Sequence, residues 1–253
     1  MCTATVYRSH NTLLLTASRD ESRNRNEAGI KASKVGETHL VYPVDAAANG
    51  TWTGVNNHGV AACLLNMYQS DYQGVLSRGL IIPKLLEKES LSEVRTWLNT
   101  SFQAELYSAF VLLIMDVNCL YRYKWDGDKL IEEAIEFDHW FMESSSSVEL
   151  EATLSYRHEK FSRWQKENGK ANDVMALHLS RDANASKSIC MAREKSHTKS
   201  ISQIAIAEAG IEFRYLAPEF LESSVNTPGK HADIECVNLN PVDNREFPKA
   251  CSA

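Results

Sequence analysis

The chain has 253 residues, of which 43% are hydrophobic and 24% charged, a balance typical of a soluble globular protein with a sizeable core. Its formal net charge of −6 and the lack of a Lys/Arg-rich block argue against nucleic acid as the main partner. No apolar run is long enough to cross a bilayer, and the longest, Ala109 to Met115, has the length of a buried strand.

The N-terminal residues predict a β-hairpin that ends in a charged cluster. Two runs rich in strand-forming residues flank a polar turn, and the second run ends in Ser-Arg-Asp-Glu at 18–21. Antiparallel pairing is expected to bring Arg19 and Asp20 close to Cys2. Removal of Met1 would leave Cys2 with a thiol and a free α-amine, which together make a nucleophile with its own base. The alternative is that Cys2 is a small buried apolar residue and that the charged cluster is a solvated turn.

The segment from Gly50 to Asn66 predicts a second hairpin. Two strand-like runs flank Asn57-His58-Gly59, and the second run is almost entirely apolar until it ends at Asn66. A buried strand that ends in an amide places a polar group at the rim of the core, although Asn66 could equally cap a turn. The charged segment that precedes this hairpin, Ser22 to Glu37, is predicted to be a surface loop.

The remaining segments alternate between helices and strands. Helical spacing is found from Leu76 to Phe102, with a capping-box signature at Ser90 and Glu93, and again from Thr153 to Asn168, which carries Arg157. A further short helix is expected to end near Leu179. Strands are predicted at 107–116, 119–125, 129–137, 188–193, 200–207 and 211–216, followed by a loop-like tail beyond Pro218.

The order of these elements predicts an α+β fold. With neither an internal repeat nor a linker, residues 1–253 are expected to form a single domain. Two antiparallel sheets packed together with a helical layer outside each, an αββα four-layer sandwich, would bury both faces of every sheet. A single sheet with helices on one side is the alternative.

No motif for a cofactor, phosphate or metal is evident. The sequence lacks G-x-G-x-x-G, a P-loop and G-x-S-x-G, and its eight histidines have no ligand spacing. We therefore expect no cofactor and no metal. Six widely spaced cysteines form no C-x-x-C pair, and the N-terminus does not read as a signal peptide. Reduced thiols and a cytoplasmic location are the expectation.

Several short motifs together resemble a known family. They are Met1-Cys2, Ser18-Arg19-Asp20-Glu21, Gly50-Thr51-Trp52-x-Gly54-Val55, Gly59, Asn66 and Tyr107-x-x-Phe110-x-Leu112-Leu113-x-x-Asp116. In this order they resemble the NRDE family, which includes transport and Golgi organisation protein 2 and is placed in the N-terminal-nucleophile hydrolase superfamily. Ser18 stands where the family signature has its asparagine. The resemblance implies the αββα sandwich.

The resemblance extends to cysteine hydrolases of that superfamily and implies roles for single residues. Cys2 matches their nucleophile, and Arg19 matches an arginine beside it. Asn66 matches an asparagine of the oxyanion hole, while Arg157 matches a later arginine. Asp20 follows Arg19 directly, whereas the aspartate of those enzymes lies three residues after the arginine. Its expected role is to orient Arg19 or the α-amine.

Two functions follow from this resemblance. The first is hydrolysis of an amide or other acyl bond of a small molecule by Cys2, with Arg19 lowering the thiol pKa and Asn66 stabilising the oxyanion. The second is a non-catalytic role on the same fold, in which the pocket binds an amphipathic ligand such as a lipid or haem for trafficking.

Overall fold

The computed structural model describes residues 2–167, 169–226 and 234–242. Two antiparallel sheets pack face to face, and helices cover the outer face of each sheet. The predicted α+β sandwich is therefore confirmed, and the alternative with a single sheet is excluded.

The first sheet contains the predicted N-terminal hairpin. Within the described residues it has six strands: β1 (Cys2–Ser9), β2 (Thr12–Ser22), β10 (Trp140–Ser144), β11 (Ser196–Ala207), β12 (Gly210–Leu216) and β13 (Ile234–Leu239). Their order across the sheet is β10-β1-β2-β11-β12-β13. The central strands β1 and β2 thus lie between partners that are distant in sequence.

The second sheet is a meander whose strands follow the chain. Its seven strands are β3 (Glu27–Val35), β4 (Thr38–Asp45), β5 (Thr53–Asn56), β6 (Ala61–Asn66), β7 (Phe110–Met115), β8 (Leu120–Trp125) and β9 (Leu130–Ala134), in that order. The predicted turn at Gly59 joins β5 to β6, and Gly59 has φ of +81°, a value that glycine adopts without strain.

Three helical groups complete the layers. They are α1 (Ile81–Leu85) with α2 (Leu91–Thr100), α3 (Leu150–Glu167) with α4 (Val174–His178), and α5 (Pro218–Asn226). The first group packs on the second sheet and the other two on the first. The Ser90 side chain accepts a hydrogen bond from the Glu93 N–H, as the capping box predicts.

Three segments differ from the prediction. The charged stretch from Ser22 to Glu37, predicted to be a loop, contains strand β3. Among the described residues β3 pairs with β4 at the edge of its sheet, a position that tolerates polar side chains. The predicted strand at 188–193 contributes only an isolated bridge at Ala192. In the described part of the tail from Pro218 onward, residues 218–226 form α5 and residues 234–239 form β13, where a loop was predicted. The predicted end of the long helix, Asn168, lies outside the described residues.

The inner faces of the two sheets form the main core. Alternate residues of β1 and β2 point inward, beginning with Cys2 and Ala4, and meet inward residues of β6 and β7 such as Cys63 and Leu113. Cys2 thus lies at the end of this core, where the sheets part. Among the described residues, no helix combines the length and apolar character needed to span a bilayer.

Among the five cysteines in the described residues, four agree with the expectation of reduced thiols and one does not. Cys2, Cys63, Cys190 and Cys236 are free, whereas Cys119 is disulfide-bonded.

Candidate active site

A cavity of about 250 Å³ opens at the end of the inter-sheet core. Four residues singled out by the sequence line it, namely Cys2, Arg19, Asp20 and Asn66. The walls also include Glu21 and Trp52, which belong to the family motifs, and three further charged residues, Arg25, Asp45 and Arg78. Charged residues of both signs therefore surround the Cys2 thiol.

Strand pairing fixes Cys2 beside Arg19. Cys2 is the register partner of Arg19 in the β1–β2 pair, so both side chains point to the same face, as predicted. Ser145 holds the backbone of Cys2 from the other side. The Cys2 N–H donates to Ser145 Oγ at 3.2 Å, and the Ser145 N–H donates to the Cys2 carbonyl at 2.9 Å. The nitrogen that would become the α-amine thus already has a hydroxyl partner.

Burial raises the pKa of the Cys2 thiol above its ordinary value, since only 7% of the residue is exposed. The charge of the amino terminus, Arg19 and the backbone N–H of Asp20 lower the thiol pKa, while the Asp20 carboxylate adds to the rise, and burial outweighs the lowering effects. Arg19 therefore lowers the thiol pKa, as expected, but burial outweighs it and the net shift is upward in the chain that carries Met1. Near neutral pH the thiol is protonated, and nucleophilic attack by this group needs a base.

Arg19 is held rigidly by groups from the second sheet. Its Nη1 lies 2.8 Å from Glu27 Oε1, its Nη2 pairs with Asp45 Oδ2, and its guanidinium stacks 4.4 Å above the ring of Trp52. Glu27 and Asp45, rather than Asp20, thus orient Arg19. These partners could not be found from local sequence, because they lie on β3 and β4 of the opposite sheet.

Asn66 ends β6 at the rim of the cavity and is half-buried, in keeping with the polar rim expected from the sequence. Its Nδ2 donates to the Tyr68 hydroxyl at 3.0 Å. The amide is thereby oriented by a side chain two residues further along the chain.

The carboxylate of Asp20 points to the opposite face of the sheet from Arg19. It lies 3.0 Å from Arg157 Nη2 and accepts a hydrogen bond of 2.6 Å from Thr198 Oγ1. Both charged side chains are fully buried. Arg157 also donates to Thr3 Oγ1 at 2.7 Å and to Ser144 Oγ at 3.1 Å, so it joins β1, β2 and β10. Arg157 lies behind the sheet and does not line the cavity.

A neutral histidine shares this buried layer. His178 Nε2 lies 2.8 Å from Thr5 Oγ1, and His178 Nδ1 lies 2.7 Å from Ser18 Oγ. Burial, with a smaller contribution from Arg157, lowers the pKa of His178 to about 3. The folded protein therefore keeps this imidazole uncharged over the whole physiological range.

This neutral imidazole predicts a loss of stability in acid. Below pH about 6.5 the unfolded chain binds a proton at His178 that the folded chain does not bind. The free energy of unfolding should then fall by up to about 1.4 kcal/mol per pH unit as the pH decreases towards 3. Urea unfolding over this range should show a flatter pH dependence for His178→Gln than for the wild type. Parallel curves for the two proteins would contradict this account.

Within the described part of the chain, no group of three or more His, Cys, Asp or Glu side chains is placed to hold a metal ion. The side chains that line the cavity supply a thiol, an amide, hydroxyls, guanidinium groups and carboxylates.

Solved structures with a similar fold include three hydrolases. A variant of conjugated bile acid hydrolase from Clostridium perfringens superposes with a TM-score of 0.58 at 10% identity, over 94% of this chain and 93% of that one. Penicillin V acylase from Agrobacterium tumefaciens gives 0.51 at 14% identity, over 85% and 83%. The Caenorhabditis elegans orthologue of N-acylethanolamine-hydrolyzing acid amidase gives 0.55 at 10% identity, over 80% and 92%. At these identities the likeness concerns the fold.

Sequence comparison gives a more specific result. A family model described as "Transport and Golgi organisation 2" matches residues 1–214. A search for similar curated proteins found no match.

Proposed function

The chain belongs to the transport and Golgi organisation 2 family, and we propose that it is a hydrolase with Cys2 as its N-terminal nucleophile, acting on an amide or other acyl bond of a small molecule. The observation that carries the proposal is that Cys2, Arg19 and Asn66 meet in one cavity. Proteins with a similar fold include a penicillin V acylase, a conjugated bile acid hydrolase and an acid amidase, which supports this type of reaction. We further propose that residues 1–253 act as one domain.

The first step requires the mature N-terminus. Removal of Met1 frees the α-amine of Cys2 beside Ser145 Oγ, and this amine takes the thiol proton. The raised pKa of the thiol makes such a base necessary. Arg19 stabilises the thiolate from the neighbouring strand. The thiolate then attacks the acyl carbon of the substrate and forms a C–S bond.

The oxyanion and the leaving group come next. Asn66 Nδ2 donates a hydrogen bond to the oxyanion, and the amine leaving group departs with the proton held by the α-ammonium. A thioester on Cys2 results. Water attacks this thioester, the α-amine accepts its proton, and the carboxylic acid product leaves with the thiol restored.

The non-catalytic alternative, binding of a lipid or haem, has less support. The cavity walls expose more polar than apolar surface. Such a surface suits a polarised acyl group better than the broad apolar face of a porphyrin or a ligand that is apolar along its whole length.

Acyl-enzyme trapping tests the proposal directly. The protein lacking Met1 would be mixed with p-nitrophenyl octanoate, quenched in acid, and analysed by intact mass and peptide mapping. We expect an octanoyl group on Cys2 after a burst of nitrophenol. Acylation of the exposed Cys236 at an equal rate, or a lack of any Cys2 adduct, would contradict the proposal.

Asn66 should contribute chiefly to the rate of the chemical step. Replacement of Asn66 with Ala removes one oxyanion donor, and we expect kcat for an N-acyl amide to fall by about 100- to 1,000-fold. Tyr68→Phe removes only the hydroxyl that orients the amide, so its effect should be smaller. Steady-state kinetics of the two variants checks this order. An Asn66→Ala enzyme with unchanged kcat would exclude this role.

A further inference from the structure

Arg78 differs from the other arginines of the cavity because it lacks an acidic partner. Arg19 pairs with Glu27 and Asp45, and Arg25 pairs with Asp45. Among the described residues, no carboxylate lies within ion-pair distance of Arg78. Its one hydrogen bond runs from Nη1 to the Ala109 carbonyl at 2.7 Å. The remaining donors of a half-buried guanidinium are thus available to a ligand.

The backbone around Arg78 is fixed before any ligand arrives. The Thr51 N–H donates to the Gly79 carbonyl at 2.9 Å, and the Leu76 N–H donates to the Leu106 carbonyl at 2.8 Å. Gly50 packs so closely that a Cβ there would lie 2.7 Å from the Gly79 carbonyl carbon. The segment therefore presents Arg78 to the cavity with little conformational entropy left to lose on binding.

We propose that Arg78 is a specificity-determining residue that binds a carboxylate of the substrate, so that the substrates are acyl compounds with a free carboxylate near the scissile bond. This inference rests on the proposed function, because it concerns the ligand of the same cavity. A guanidinium with free Nη and Nε donors matches a carboxylate in charge and geometry.

The surrounding charges favour a single negative charge on that ligand. Burial lowers the pKa of Arg78, and the positive charge of Arg25 lowers it further. The negative charges of Tyr68, the Cys2 thiolate and Glu21 raise this pKa, but by less. Glu21 and Asp45 also line the cavity and would repel a dianion. A monoanionic carboxylate compensates the buried cation without that repulsion.

An apolar edge next to Arg78 suits the acyl part of the same molecule. Leu76 lines the cavity, and Val75 beside it is 83% exposed. An alkyl chain that covers these side chains would remove apolar surface from water. The ligand class is therefore an N-acyl amino acid with an aliphatic acyl chain.

A pair of probes that differ only in charge tests Arg78 separately from catalysis. N-octanoylglycine and its neutral analogue N-octanoylglycinamide would be titrated by calorimetry into the Cys2→Ala protein, which cannot turn them over. We expect the carboxylate to bind about 10- to 100-fold more tightly than the amide, in keeping with hydrogen bonds to a charged group. Arg78→Gln in the same background should remove this preference, while Arg25→Gln, which alters an arginine that already has a carboxylate partner, should keep it.

Each outcome bears on one proposal. Equal affinity for the two probes, lack of saturable binding, or an unchanged preference in Arg78→Gln would overturn the role of Arg78. Turnover of both probes by the Cys2 enzyme is a separate readout. If neither probe is turned over but the carboxylate still binds more tightly than the amide in an Arg78-dependent way, hydrolysis would be contradicted and carboxylate recognition by Arg78 would stand.

Discussion

Replacement of Cys2 with Ala should abolish hydrolysis and leave the fold intact. In the proposed mechanism Cys2 supplies the nucleophile, so kcat should fall by at least about 10⁴-fold. The lost sulfur lies at the end of the inter-sheet core beside the cavity, and we expect the free energy of unfolding to change by no more than about 1–2 kcal/mol. Turnover of N-acyl amides and urea unfolding of the same preparations measure the two effects.

Cys236→Ala is the matched control, since Cys236 is a free but exposed cysteine on β13. It should retain both activity and stability. A Cys2→Ala protein that is folded and still hydrolyses the substrate would refute the nucleophile assignment, whereas an unfolded variant would show that Cys2 is needed for packing.

Breaking the buried Asp20–Arg157 pair should cause the largest loss of stability. Arg157→Met leaves the Asp20 carboxylate without its cation at a site with no exposed surface, and removes the contacts of Arg157 with Thr3 and Ser144. We expect the free energy of unfolding to decrease by about 3–5 kcal/mol, the usual cost of an uncompensated buried charge. Urea denaturation at neutral pH measures it.

A partly exposed ion pair made by another residue of the same helix, Lys160 of α3, provides the control. Lys160 lies 2.7 Å from Asp182, and their side chains are 27% and 30% exposed. Lys160→Met should therefore cost no more than about 1 kcal/mol. Similar losses in the two methionine variants would mean that the Arg157 network stabilises the sheet no more than a solvated ion pair does.

The hairpin that positions Cys2 could be predicted because its information is local. Two runs of strand-forming residues around a polar turn set the register that pairs Cys2 with Arg19. The same period of two shows why Asp20 takes a different role from Arg19: adjacent residues of a strand point to opposite faces. Because this alternation can be seen in the sequence, Asp20 could have been excluded there as the group that orients Arg19.

The partners of Arg19 could not be predicted because they depend on how the two sheets pack. Glu27 lies in a segment whose charges resemble those of a loop, and Asp45 ends a strand of the opposite sheet. Strand β11 pairs with β2 and thereby brings Thr198 to Asp20, although the two segments are about 180 residues apart in the sequence. Local patterns carry no information on such contacts.

The most direct test of the account is selective alkylation of the purified protein. Intact mass would first show whether Met1 has been removed. Brief treatment with limiting iodoacetamide and peptide mapping would then compare Cys2 with the other cysteines. The account predicts loss of Met1 and preferential labelling of Cys2, despite its burial, because the freed α-amine generates the thiolate. Retained Met1, or labelling of Cys2 no faster than that of exposed Cys236, would contradict catalysis by an N-terminal cysteine.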